Sequence, residues 1–398
     1  MRTILHCDLN SYFASVELLY KPHLRSLPVA VCGDPEMRHG IVLARNPPAK
    51  QYGIKAGDVI WQAKQKCPSL IVLPTHEDWY GMYSQIVRKI YSDYTDMVEA
   101  FGIDECWLDV SASLGLLGKP LDIANELRER VKKETDGLTI SVGISFGKIF
   151  AKLGSDMKKP DAVTEIPYDN FKDMVWKLPS GDMLGVGHAT AKQLHKYGID
   201  TIGDIARRPV EFYDTVRGKC GVALWRYANG IDNDPVMKDG MTPKIKSIGH
   251  GNTGIYDLEN NEQVYAFLLE LAQDVSHRLK SNGLQAKSIE LDVRDNKLLM
   301  RQYQSALPFP TQSWYELAKA AYKLFVRNYD WEYPVRSLTV RGISLENENT
   351  PTQIDFFTDM SRIEKRNDLE NAIEKIRSRY GNGAINVAST LGGTFYQI

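Results

Sequence analysis

The segment Gly102-Ile103-Asp104-Glu105-Cys106-Trp107-Leu108-Asp109 sets two adjacent acids inside an apolar run of the kind that forms a buried strand. Neighbouring residues on a strand point to opposite faces, so one acid can face a site while the other sits at a turn. Burial of a carboxylate is costly unless a cation compensates it. A third acid, Asp8, closes the apolar opening Ile4-Leu5-His6-Cys7-Asp8-Leu9-Asn10, which reads as a strand running into a tight turn. Two strands that each end in carboxylates are candidate neighbours. Oxygen ligands without matching His or Cys favour Mg2+ or Mn2+ over zinc, and such ions complete their shells with phosphate or water. The chemistry this points to is phosphoryl transfer. On spacing alone, a helix cap or pairing with surface lysines accounts for Asp104 and Glu105 equally well.

The elements that must position these acids alternate in the first 165 residues. Strand-like segments (4–7, 29–32, 40–44, 69–73, 98–103, 106–110 and 140–145) alternate with helical ones at 11–20, 79–94 and 120–134, which predicts an α/β domain. In the second of these helices Met82, Ile86, Ile90 and Tyr94 recur at helical spacing and are read as core. Short helices with frequent glycine follow to about residue 232. Among them Gly185-Val186-Gly187 precedes a helix, a turn that exposes backbone N–H groups able to accept a phosphate oxygen; glycine turns are also ordinary packing devices. Residues 245–345 read strand, helix, strand, strand, helix, strand, a β-α-β-β-α-β unit with one sheet face covered by helices and the other free. Lys246, Arg294, Arg301, Arg336 and Arg341 fall on or beside its strands, a set suited to a nucleic-acid backbone.

Composition bounds the answer. A 398-residue chain of ordinary apolar content has ample core for two to four domains, and a net charge of −1 restricts any nucleic-acid surface to a local patch. Five scattered cysteines without a C-x-x-C pair argue against a disulfide framework or zinc ribbon and for a reducing compartment, so the cytoplasm is expected. No apolar run approaches the ~20 residues of a membrane helix, and no secretory signal is expected.

Four segments, taken in order and separation, resemble the Y-family translesion DNA polymerases: Asp8 to Glu17, Ile103 to Ser111, Val142 to Ser145, and Phe150 to Pro160. The resemblance implies a right-hand polymerase, α/β and α+β, with palm (1–20 and 75–165), fingers (21–74), thumb (166–232), linker (233–244), little finger (245–345) and a C-terminal segment (346–398). It implies that Asp8, Asp104 and Glu105, with the backbone carbonyl of Leu9, hold two Mg2+ ions, for which Mn2+ is a possible substitute. Ser11, Tyr12, Phe13, Arg45, Lys50 and Lys159 become the nucleotide-binding residues, with Phe13 the steric gate against ribose. Primer–template DNA and deoxynucleoside triphosphates are the implied partners, and a monomer is expected.

The fingers depart from the best-known family pattern. Ala44, Pro47 and Lys50 stand where many members carry a small hydroxyl residue, a tyrosine and an arginine, and Ala44-Arg45-Asn46 is closer to the catalytic subunit of DNA polymerase V. Lysine lacks the bidentate fork of arginine, and proline supplies no hydroxyl. Near the C-terminus, Gln353, Ile354, Phe356 and Phe357 resemble a sliding-clamp-binding peptide in an internal position. Two other readings stand beside the polymerase: a non-catalytic DNA- and clamp-binding accessory protein, which the altered fingers make conceivable, and a different two-metal enzyme on a similar palm.

Overall fold

The computed structural model describes residues 1–36, 38, 40–241, 243–351 and 360–388. Two compact units divide the chain, one built from residues 1–33 and 41–242, the other from residue 243 onward together with residues 34–40.

In the first unit, β1 (Ile4–Leu9) is buried along all six residues and passes through Ser11 into α1 (Tyr12–Tyr20). Ser11 makes this tight turn in the left-handed region, at φ 49°. A small sheet follows, in which β2 (Val29–Cys32) lies between β3 (Val42–Arg45) and β4 (Ile71–Leu73), flanked by α2 (Pro47–Gln51) and α3 (Ile60–Lys66). Asn46 caps α2, its side chain accepting from Ala49 N at 3.1 Å, while Pro47 occupies the first turn where no N–H is needed. The chain returns through α4 (Glu77–Ser92), β5 (Val98–Ala100), β6 (Glu105–Asp109), α5 (Leu114–Leu117), α6 (Pro120–Glu134), β7 (Ile140–Ser145), α7 (Lys148–Met157) and β8 (Val163–Ile166). These strands form the five-stranded sheet β5-β6-β1-β7-β8, with β1 at its centre.

The buried face of α4 keeps Ile90 of the expected stripe, with Ile86 packed on the same core and Tyr94 buried just past the helix, but not Met82. Tyr80, Tyr83, Ser84, Val87, Ile90 and Tyr91 are buried, whereas Met82 is 44% exposed. Both edges of this face satisfy helical periodicity; the tyrosine edge is buried because its large rings fill the core, and the Tyr80 hydroxyl finds a partner in Glu17.

Four helices complete this unit: α8 (Phe171–Val175), α9 (His188–His195), α10 (Ile202–Arg207) and α11 (Val210–Ala228), the last broken at Gly218. Their core joins Phe171, Met183, Val186, Leu194 and Ile202 to Phe146 and Phe150. The segment expected to be a linker is stapled to the five-stranded sheet. Val236 packs with Ile4, Trp107 and Ala151, and Asp232 accepts from Ile149 N at 3.0 Å. Met237 N donates to Glu99 at 2.8 Å.

In the second unit β9 (Ser247–Leu258), α12 (Asn261–Ser281), β10 (Leu284–Asp295), β11 (Met300–Thr311), α13 (Trp314–Asn328) and β12 (Val335–Asn347) form the expected β-α-β-β-α-β unit, with strand order β11-β10-β12-β9. Ile289, Leu291 and Val293 alternate toward a core shared with both helices. A further helix, α14 (Met360–Tyr380), docks on this unit through Glu370. That side chain is 2% exposed, accepts from Ser313 Oγ at 2.6 Å and from Trp314 N at 3.2 Å, and so satisfies the N-terminus of α13.

Candidate active site

β1 and β6 are antiparallel neighbours, and their register sets Asp8 opposite Glu105. Asp104 sits one residue before β6, its carbonyl accepting from Leu9 N at 3.0 Å. The loop carrying Asp104 is pinned from α4. Ser84 Oγ donates to the Ile103 carbonyl at 2.5 Å and Arg88 to the Gly102 carbonyl at 2.8 Å. The three expected acids and Leu9 therefore converge on one edge of two paired strands.

Lys152 of α7 and Lys159, just past its C-terminal end, reach into this cluster. Lys159 Nζ lies 2.7 Å from Asp8 and 2.8 Å from Asp156. Lys152 Nζ lies 2.8 Å from Glu105, 3.5 Å from Asp8 and 3.2 Å from Asp156. Both ammonium groups stay above the ordinary lysine range although burial opposes this, because the carboxylates around them outweigh it. His6, on the same strand face as Asp8, places Nε2 3.2 Å from Glu105 and hydrogen-bonds Ser155 through Nδ1 at 2.8 Å. Burial pulls the imidazole below its usual value despite Glu105.

The three acids divide sharply. Burial, reinforced by Asp8 and Glu105, pushes Asp104 up to about 6. Burial also raises Asp8 against the pull of Lys159. Burial works on Glu105 too, but contact with His6 and Lys152 overcomes it and holds Glu105 at about 2.

The donor set fits divalent cations by its chemistry: three hard carboxylates are gathered in a part-buried site, where burial and then their mutual repulsion disfavour the fully ionised trio. Glu105 Oε2 is buried and lacks a hydrogen bond despite its two close neighbours. Among the described residues no three such groups are closed on a point as a finished chelate; the lysines provide the positive charge there.

The nucleotide-binding candidates gather beside the acids. Burial, Arg45 and Lys159 together pull the Lys50 ammonium below the ordinary range, while Asp8 partly offsets them. Arg45 is braced by donating to the Ile54 carbonyl at 3.0 Å. Ser11 supplies no side-chain cap to the first-turn amides of α1. Phe13 stacks on Tyr80, ring centroids 4.2 Å apart at 12°. Tyr12 turns inward, is 4% exposed and donates its hydroxyl to the Tyr80 carbonyl, which leaves only its backbone for an anion.

Gly185 adopts φ +90°, Val186 is buried, and Gly187 opens the exposed N-terminus of α9. On the second unit's sheet, the face opposite the helices carries Arg294 on β10 and Arg341 on β12. Arg341 is engaged by Glu290 and lies 3.7 Å from Asp292. Arg301 does not share that face. It pairs in register with Val293, which points into the helical core, and its guanidinium lies over Tyr329 and 3.6 Å from Glu332. Lys246 stands exposed just before β9, and Arg336 follows the first residue of β12. Gln353, Ile354, Phe356 and Phe357 lie outside the described residues.

Sequence reasoning missed Lys152, Asp156, His6, Ser84 and Arg88. A signal existed for three of them: His6 is two residues from Asp8 and shares its strand face, while Lys152 and Asp156, four residues apart, share one helix face with each other, and Asp156 lies three residues before Lys159.

A palm-like sheet with three clustered acids, a cationic flank and a separate β-α-β-β-α-β unit defines a nucleotidyl-transfer enzyme of the right-hand polymerase class. Residues 7–156 match the impB/mucB/samB family and residues 245–356 its C-terminal domain. "DNA polymerase IV" of Acetivibrio thermocellus is 46% identical over 380 residues, covering 96% of this chain and 95% of the relative. "DNA polymerase IV 1" of Bacillus subtilis is 35% identical over 393 residues, covering 98% and 93%. A solved Y-family DNA polymerase chimera, Dbh-Dpo4(243-245)-Dbh, shares the fold with a TM-score of 0.76 at 23% identity, over 86% of this chain and 98% of the chimera. The chain belongs to the impB/mucB/samB family, the Y-family DNA polymerases. Enzymes of this family are metal-dependent. Among the described residues no helix is long and apolar enough to cross a membrane.

Proposed function

We propose that this Y-family member adds deoxynucleotides to a primer 3′ end opposite intact and damaged template bases, and that Asp8, Asp104 and Glu105, with the Leu9 carbonyl, hold two Mg2+ ions, Mn2+ being a workable substitute. The observation that carries this is the meeting of three carboxylates with Lys159, 2.7 Å from Asp8, and with Lys50, whose ammonium feels Arg45, Lys159 and Asp8 together. Carboxylates alone would suit many metal enzymes; carboxylates flanked by mutually repelling cations suit a metal–triphosphate. When bound, the ions activate the primer hydroxyl and stabilise charge on the departing pyrophosphate.

Lys159, Lys50 and Arg45 neutralise the triphosphate, and the first-turn amides of α1 at Ser11, Tyr12 and Phe13 face its oxygens. The ring of Phe13 lies beneath the sugar and excludes a 2′-hydroxyl. Gly185, Val186 and Gly187 clamp a DNA phosphate at the α9 N-terminus, and Lys246, Arg294 and Arg336 follow the backbone. Arg341 joins them only on release from Glu290. Gln353, Ile354, Phe356 and Phe357 recruit a sliding clamp to a monomeric, cytoplasmic enzyme. The intact acid trio disfavours a non-catalytic accessory role.

Extension of a labelled primer, with each templating base presented in turn, tests the proposal. Mg2+-dependent incorporation that follows the template is expected. Tight primer–template binding without incorporation would contradict it and favour the accessory reading.

A further inference from the structure

Glu17 is a carboxylate that the proposed chemistry does not use, and its side chain is completely buried. Burial of this kind is tolerated only with full pairing. Glu17 Oε1 accepts from the Tyr80 hydroxyl at 2.7 Å and lies 2.7 Å from His76 Nδ1, while Oε2 lies 3.1 Å from Lys21 Nζ. Glu17 stands one turn after Phe13 on α1, so both face α4. Tyr80 links them, because its ring stacks on Phe13 at 4.2 Å while its hydroxyl is held by Glu17. Tyr80 is also fixed at its backbone, where the Tyr12 hydroxyl donates to its carbonyl. The ring beneath Phe13 is thereby anchored at both ends, and only the Glu17 contact is made by a charged group.

We infer that Glu17 is a positioning residue for sugar selection: through Tyr80 it sets the height of the Phe13 ring and so the strictness with which ribonucleotides are refused. The inference rests on Phe13 acting as the sugar gate. A buried carboxylate is a costly way to hold a tyrosine, and its benefit is a strong charge-assisted bond of fixed length. With that bond removed, the Tyr80 ring can tilt and Phe13 can settle back.

The test is the ratio of kcat/KM for deoxynucleotide over ribonucleotide in single-nucleotide incorporation. Tyr80→Phe keeps the stacked ring and loses the bond; Glu17→Ala loses the acceptor; Glu17→Gln keeps an acceptor without the charge. Discrimination is expected to fall about 10-fold in Tyr80→Phe and Glu17→Ala, mainly through a lower KM for ribonucleotide, and to fall less in Glu17→Gln, which keeps a weaker neutral bond. Thermal melts identify a Glu17→Ala protein that fails to fold, in which case Tyr80→Phe decides. Unchanged discrimination in Tyr80→Phe, with Phe13→Ala clearly relaxed, overturns the inference. Unchanged discrimination in Phe13→Ala removes the gate itself and the inference with it.

Discussion

Gly143→Ala tests the account at the contact that brings α7 to the acids. Gly143 lies in β7 directly beneath α7, and a Cβ there would fall 1.8 Å from the Ala151 carbonyl oxygen and 2.5 Å from Ser155 N. Both obstacles are backbone, so no side chain can swing away. Ordinary contact begins at 3.4 Å, which requires the helix to retreat by about 1.6 Å. Gly154 shows the same crowding from the helix side, its Cβ position lying 3.2 Å from Gly143 Cα. Retreat of α7 carries Lys152 and Asp156 with it and opens the 2.8 Å contact of Lys152 with Glu105. Overpacking of this kind costs about 1–3 kcal/mol, which lowers the melting temperature of a unit this size by about 2–12 °C. A displacement above 1 Å in groups beside the reacting centre costs about 100-fold in rate. Differential scanning fluorimetry and single-turnover primer extension measure both effects. Gly187→Ala is the control, since nothing lies within 4 Å of the added carbon, and it melts like the wild type. A Gly143→Ala protein with unchanged melting and extension would refute the reasoning.

Three further outcomes are expected. Asp104 is pushed up to about 6 from 3.8, so between those values the folded protein binds the extra proton, and the stability of the metal-free protein falls as pH rises through the window. Glu105, held at about 2 from 4.5, has its stabilising effect complete above 4.5 and adds no slope there. Denaturant melts at pH 4.5 and 6.5 should show a smaller loss in Asp104→Asn than in the wild type, the remainder coming from Asp8 and Glu270, whose carboxyls burial also raises, and a larger gain from Mg2+ at the higher pH; equal losses in the two proteins would count against the assignment. Lys152→Met removes a cation that competes with metal for Glu105 and Asp8, so Mn2+ affinity measured by electron paramagnetic resonance should rise, and a fall would show that Lys152 helps to build the site. Glu370→Ala orphans Ser313 and the α13 N-terminus at a cost of about 1–3 kcal/mol, seen as earlier melting, whereas unaltered melting would mean that α14 adds nothing to its unit.

Much of the site was legible because strand parity and register are local. Asp8 and Glu105 each lie on a short apolar strand, and only an antiparallel pairing lets both ends meet. The β-α-β-β-α-β unit was legible for the same reason, since its periodicity switches cleanly between 2 and 3.6. Arg301 was not legible in this way. Which face it occupies depends on its cross-strand partner Val293, and the turn between β10 and β11 sets that register. On α4 only Met82 was misread, because Tyr80, Tyr83, Val87 and Tyr91 offer a neighbouring stripe, and packing of the large tyrosine rings decides which edge of the face is buried. Glu17 and Glu370 read as surface residues in any composition argument. Their burial depends on donors 59 and 63 residues away for Glu17 and 57 residues away for Glu370, a distance no local pattern spans.

The central claim is that three carboxylates act together on the reacting phosphate. Single-turnover incorporation by Asp8→Asn, Asp104→Asn and Glu105→Gln, each beside its own primer–template affinity, tests it most directly. The account predicts a rate loss of at least about 100-fold in every variant with DNA affinity retained. A loss below about 10-fold in any of the three would remove that carboxylate from the reacting centre and contradict the claim.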